Sequence, residues 1–162
     1  MQSFWLDSDV FIQAKRIYYP FDIFPGFWAF LDRQIEAQTI KSPYEVFIEL
    51  CRYGDQLSDW ARGHRDRGFF REPDDAVQQN FTDIADYVQD TYEEAFASKF
   101  LSDADPWVIA HAKTDGGTVV TIEKIVGQDS KRVKIPNVCR EFDVPFIDTF
   151  EMLRELGASF DV

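Results

Sequence analysis

Apolar and polar positions along this chain follow two periods, and the change from one to the other marks its elements. The opening run SFWLD, residues 3–7, reads as a short buried strand. SDVFIQAKRIYY directly after it turns to helical spacing, with Val10, Ala14 and Ile17 near one face. A strand therefore feeds a helix. YYPFDIFPGFWAFLDRQIEAQ then carries two prolines and a glycine among many aromatics; its first half reads as an ordered loop and its second as a helix over residues 28–38. Ser42, Pro43 and Glu45 take the cap, first and third positions of a helix start, with Glu45 placed to reach back to the cap N–H, and that helix is expected to run to about Tyr53. RGHRDRGFFREPDD reads as a polar connector and TDIADYVQDTYEEAFASKFL as one amphipathic helix.

The last third alternates most clearly. Helix DPWVIAHAK, strand TVVTIE, helix PNVCREF, strand PFID and helix TFEMLRELG follow one another, with short turns at Gly116, Gly117 and Asp143. Such alternation implies parallel strands joined by right-handed crossovers, so the fold class is α/β with a small sheet.

Composition sharpens this picture at three points. At 162 residues, 45% hydrophobic and 16% aromatic, the chain reads as a single folded domain over residues 1–162 with a real core. A formal net charge of −12 excludes broad, coat-like attraction to nucleic acid, although divalent cations and a local basic patch could still let an acidic protein cut it. Cys51 and Cys139 lack any CxxC spacing, which points to neither a disulfide framework nor a zinc site and fits a cytoplasmic compartment. MQSFWLDSD has no basic region followed by a long apolar stretch, and no membrane role is expected.

In parallel sheets the chemistry lies beyond the carboxyl ends of the strands. Asp7 follows the first strand, Asp105 opens a helix, Glu123 follows TVVT, and Glu49 sits one turn into the helix that Ser42 starts. Four carboxylates brought together would repel one another, a cost recovered when Mg²⁺ or Mn²⁺, hard cations that prefer oxygen, bind between them. Each acid has a plainer reading. Asp7 could end its strand while Ser8 or Asp9 caps the next helix, and Asp105 before Pro106 has the pattern of a helix cap. Glu123 could belong to an exposed strand alternation paired with Lys124. Glu45 is accounted for by the cap, whereas Glu49 in the apolar run VFIELC is costly unless paired or metal-bound.

The stretches LDSDVFI, FIELCRYG, ADPWVIAHA and VVTIE, in that order over nearly the whole chain, resemble the motifs of PIN-domain nucleases, and among them a PIN-like bacterial branch related to VapC-type toxins. The resemblance implies a small three-layer sandwich with helices on both faces of a parallel sheet. It implies that Asp7, Glu49, Asp105 and Glu123, with Asp9, hold one or two Mg²⁺ or Mn²⁺ ions. Thr121 would orient the last acid or the scissile phosphate. The implied activity is endonucleolytic cleavage of single-stranded RNA by the toxin of a toxin–antitoxin pair, with a helix-turn-helix antitoxin as partner and room for a homodimer. The alternative is a catalytically inactive PIN-like module that binds other proteins. Asp9 stands where such nucleases often carry asparagine, and Glu123 where aspartate is common. The opening Asp-x-Asp also resembles haloacid-dehalogenase-like phosphatases, but there the acidic pair follows the Thr or Ser, and here Asp103 and Asp105 precede Thr121.

Arg62, His64, Arg65, Arg67 and Arg71 form one basic stretch, and Lys131, Arg132 and Lys134 another. Arg65, Arg67, Lys131 and Arg132 are the candidates for holding an RNA backbone; solvated loops are the plainer reading. Phe21, Phe24, Phe27 and Trp28 could stack bases or receive a partner helix, though closing one end of the core is the commoner use of such a cluster. His111 reads as a helix residue near the edge of the site and His64 as a loop residue, with no ligand spacing between them.

Overall fold

The computed structural model describes residues 2–161. Five strands, β1 (Phe4–Leu6), β2 (Ile40–Pro43), β3 (Phe70–Arg71), β4 (Thr118–Val120) and β5 (Phe146–Ile147), form one sheet in the order β3-β2-β1-β4-β5. Every pairing is parallel, with Phe4 opposite both Ile40 and Thr118, Ser42 opposite Phe70, and Val119 opposite Phe146. Parallel neighbours demand crossovers, and helices supply them. Among the described residues these are α1 (Ser8–Gln13), α2 (Pro25–Glu36), α3 (Tyr44–Cys51), α4 (Gln56–Gly63), α5 (Asp75–Thr91), α6 (Glu94–Ser102), α7 (Asp105–Asp115), α8 (Ile135–Glu141) and α9 (Thr149–Glu155). The result is a three-layer α/β sandwich of the expected PIN-like kind, with helices on both faces.

The sheet is short because its job is central burial. β1 is buried along its whole length and lies between β2 and β4. Trp5 faces α7, where its indole stacks on His111 with ring centroids 4.5 Å apart; Phe4 and Leu6, alternating with it, serve the opposite layer. α7 packs on β1, β2 and β4 and against α5. Gly117, between α7 and β4, is required by close approach, since a Cβ there would stand 2.6 Å from Ser3 Oγ and 2.9 Å from Trp5 Cδ1.

Several elements differ from the sequence expectation. The helix expected from Ser42 is α3, but it begins at Tyr44 with Pro43 as its N-cap, and Ser42 and Pro43 end strand β2. Ser42 is a strand residue, its N–H bonded to Phe69 O at 3.1 Å and its hydroxyl donating to Leu6 O at 2.7 Å, so it ties β2 to both neighbours. The capping box with Glu45 is therefore absent, and the chain's capping box lies at α4, where Asp55 Oδ1 accepts from Ser58 N–H at 3.0 Å and Ser58 Oγ accepts from Asp55 N–H at 3.3 Å. The supposed polar connector contains the end of α4 and the edge strand β3. The single helix expected over residues 82–101 is two, α5 and α6, broken where Tyr92 is extended and its ring packs on the core. α2 begins at Pro25, three residues early, and β4 stops at Val120.

The aromatic insert closes the core. Phe27 stacks on Tyr19 at 4.2 Å and Phe21 on Trp28 at 4.0 Å, while the Trp28 indole N–H donates to Tyr19 O at 2.8 Å. Phe160 of the C-terminal segment adds its edge to Tyr19, Phe27 and Phe30.

Candidate active site

Because β1 and β4 are adjacent and parallel, both end on the same edge of the sheet, and the residues just past them meet. Asp7 N–H bonds to Val120 O at 3.1 Å, and Thr121 N–H to Ile147 O at 3.0 Å. Asp7 occupies the N-cap of α1, yet neither it nor any other side chain makes the cap bond there, which leaves its carboxyl turned to other work. Asp105 is the first residue of α7, where Ala104 is the cap and Pro106 follows; the cap reading of Asp105 is thereby corrected. Glu123 follows a strand that has already ended, so it is no part of a strand alternation. Its Oε1 accepts from the N–H of Ile135, at the start of α8, at 2.8 Å.

Asp7, Asp9, Glu49, Asp105 and Glu123 line one cavity of about 280 Å³, together with Asp103, Ser8, Ile12, Arg52 and Tyr53. Two hydroxyls organise it. Ser8 Oγ donates to Glu49 Oε1 at 2.5 Å. Thr121, 1% exposed, stands behind the acids, donating to Asp7 Oδ2 over a long 3.5 Å and accepting the Glu123 N–H at 3.1 Å.

The electrostatics follow from burial and crowding. Asp7 is only 2% exposed, and burial first, then the charges of Asp105, Asp9, Glu123 and Glu49, pushes its carboxyl well above the usual range. Burial and then Glu123 and Glu49 push Asp105 up to about 8. Burial also raises Glu49 against the opposing Ser8 hydrogen bond, Glu123 against the Ile135 N–H and Lys134, and Asp9 against Lys134 and Arg16. A cavity that holds protons at neutral pH for want of positive charge is one that a divalent cation relieves, and a donor set made of carboxylate oxygens suits a hard ion. In donor chemistry the residues present suit Mg²⁺ or Mn²⁺. Among the described residues no group of three or more Asp, Glu, His or Cys side chains stands arranged to hold a metal ion; the acids share the cavity wall.

The other candidates disperse. Arg132 lines a neighbouring cavity that shares Asp103 and Asp105, and Lys131 is exposed beside it in the chain. Arg65 lies over the Phe47 ring at 5.6 Å and Arg67 pairs with Glu36 at 3.8 Å; neither lines the acidic cavity. His111 borders a different cavity with Lys41, Arg71 and Asp115, and burial lowers it to about 4. His64 is no loop residue in the open: it caps the C-terminus of α4, 5% exposed, with Nε2 2.7 Å from Asp32 Oδ1. Sequence reasoning misses Asp103, whose signal is its place two residues before Asp105, and the Lys134 charge that acts on Asp9 and Glu123 from the basic stretch. Ser8 was read as a cap; its hydroxyl goes to Glu49 instead.

Among the described residues no helix is long and apolar enough to cross a membrane. No curated protein matches the chain. The model of one family, described as a domain of unknown function (DUF4411), matches residues 4–160.

Proposed function

The chain belongs to the DUF4411 family, and from its site and the resemblance of its motifs we propose that it is a PIN-like, Mg²⁺- or Mn²⁺-dependent endoribonuclease of the VapC-related kind, cutting single-stranded RNA in the cytoplasm. One observation carries this reading: carboxylates from the turn after β1, α1, α3, α7 and the segment after β4, most of them distant in sequence, line a single cavity at the carboxyl edge of the sheet.

Asp7, Glu49, Asp105 and Glu123 are the residues that would hold the ion, with Asp9 at the rim. A bound divalent cation supplies positive charge to a phosphodiester and to the water that attacks it. The chain's own groups prepare that step. Thr121 links Asp7 to the backbone of Glu123, so the two acids keep a fixed relation. Ser8 fixes one oxygen of Glu49, and the Ile135 N–H fixes one of Glu123. Asp7, sealed beneath them, supplies the least hydrated charge of the set. A nuclease of this kind has to be kept in check, and the resemblance of the motifs to toxins supports a cognate antitoxin of helix-turn-helix type as its partner.

The test is cleavage of fluorescent single-stranded RNA in Mn²⁺ by the wild type and by Asp7→Asn. Cleavage that stops with EDTA and falls at least about a hundredfold in the variant supports the reading, since one acid of a charge-stabilising set is worth several kcal/mol. A wild type that cuts nothing and takes up no Mn²⁺ leaves the non-catalytic protein-interaction module in its place.

A further inference from the structure

Beside the acidic cavity lies a second one, of about 390 Å³, that shares its Asp103 and Asp105 wall and has the opposite character. Its remaining walls come from Phe96, Lys99 and Phe100 of α6 and from Arg132, Val133 and Lys134 just ahead of α8. Phe100 and Val133 form a buried floor, and Phe96 is half-buried with part of its ring open. Lys99 pairs with Asp103 at 3.0 Å, so the charge of the shared wall is partly cancelled from this side. Among the described residues Arg132 and Lys134 have no carboxylate within ion-pair distance. Lys134 lines the second cavity, and its charge opposes the upward shift of the Asp9 and Glu123 carboxyls in the first.

RNA is a repeat of anion and flat ring, and an approaching strand meets a chain of net charge −12. It will settle where cations free of internal partners adjoin the reactive cavity and an aromatic face is open. We propose that this second cavity is the subsite for the nucleotide next to the scissile phosphate, with a backbone phosphate on Arg132 and Lys134 and a base against Phe96. The inference rests on the nuclease reading and adds to it a strand path and three positioning residues. Stacking on Phe96 uses the π-face that every base has, so the subsite tolerates any base and leaves sequence choice to other contacts. Arg65 and Arg67, engaged with Phe47 and Glu36, lie off this path.

The experiment is fluorescence anisotropy of a labelled single-stranded RNA oligonucleotide with the full chain, in Ca²⁺ to hold the strand uncut. Phe96→Ala, Arg132→Ala and Lys134→Ala should each weaken binding by about tenfold, the size of one lost stack or phosphate contact. Phe96→Tyr should restore it, and Arg154→Ala on α9 should leave it unchanged. In Mn²⁺ Phe96→Ala and Arg132→Ala should raise KM for RNA while leaving hydrolysis of bis(p-nitrophenyl) phosphate, which needs only the acidic cavity, at the wild-type rate; Lys134→Ala, whose charge also acts on Asp9 and Glu123, is read by RNA binding alone. No RNA binding by the wild type, or equal binding by all the variants, overturns the subsite. Cleavage by the wild type with KM unmoved by Phe96→Ala and Arg132→Ala also overturns it and leaves the nuclease reading standing. The expected loss of binding with no cleavage by the wild type supports an RNA subsite and removes the nuclease reading instead.

Discussion

The hydroxyl of Ser8 donates to Oε1 of Glu49 at 2.5 Å, joining the residue directly after Asp7 to the last turn of α3. One short side chain thus ties Asp7's neighbour to an acid that lies 41 residues further along the chain. The backbone of Ala104, at the cap of α7, also helps keep Glu49 charged. Glu49 is in this way referenced to the two elements that carry Asp7, Asp9 and Asp105.

Ser8→Ala removes that reference without removing a carboxylate. The Mn²⁺ concentration for half-maximal RNA cleavage should rise about 10- to 100-fold, the usual effect of losing a group that orients a ligand, and stability should fall by about 1 kcal/mol. A metal titration of cleavage checks it; an unmoved midpoint means that the bond orients nothing of use.

The raised carboxyls predict an unusual pH dependence. A carboxyl whose pKa is higher in the fold than in the open chain binds its proton more tightly when folded, so its contribution to stability is fullest below the ordinary carboxylate range and is lost as pH rises toward the folded value. For Asp105 that window runs from the ordinary 3.8 to about 8. The metal-free chain should therefore lose Tm on going from about pH 5 to about pH 8. Asp105→Asn should flatten the loss, and Mn²⁺ should restore the Tm at the upper end while releasing protons on binding. Thermal melts in EDTA across this range, wild type beside variant, decide it; parallel curves would contradict the shared burial of these acids.

Thr121 is buried between Asp7 and the backbone of Glu123, so it tests the arrangement by shape alone. Thr121→Val keeps the volume and strands the Glu123 N–H, which should cost about 1–3 kcal/mol of stability and lower kcat with RNA. Thr121→Ser should keep most of both. Chemical denaturation and steady-state cleavage separate the two effects.

Ser42 predicts the opposite split. Its hydroxyl donates to Leu6 O inside the sheet and bonds to no acid side chain, so Ser42→Ala should lower stability by about 1 kcal/mol and move the metal midpoint less than Ser8→Ala does. Urea unfolding with a cleavage assay on the same preparation measures both.

How far the sequence revealed this molecule depended on the range of each signal. Alternation with short turns made β1, α7, β4, α8, β5 and α9 legible, because in those stretches local period and burial agree. β2 and β3 stayed hidden. KSP mimics a helix cap locally, and only pairing with Leu6 and Phe69, remote in sequence, makes Ser42 a strand residue. The acids were legible as chemistry because each stands at an element end, and Glu49 because an apolar run gives a carboxylate no surface excuse. Which acids share a cavity was not legible: Asp103 joins them through the turn before α7, and the pairing of the second cavity with the first depends on α6 and the 131–134 segment folding to the same edge. The basic residues show the limit most plainly, since density along the chain favoured Arg65 and Arg67 as much as Arg132, and three-dimensional placement separates them.

The most direct measurement of the central claim is anomalous diffraction from crystals of the full chain grown with Mn²⁺. A manganese peak inside the cavity, coordinated by Asp7 and by at least two of Glu49, Asp105 and Glu123, is the predicted result. Saturating Mn²⁺ with that cavity bare of anomalous density, or with peaks confined to other surfaces, would contradict it.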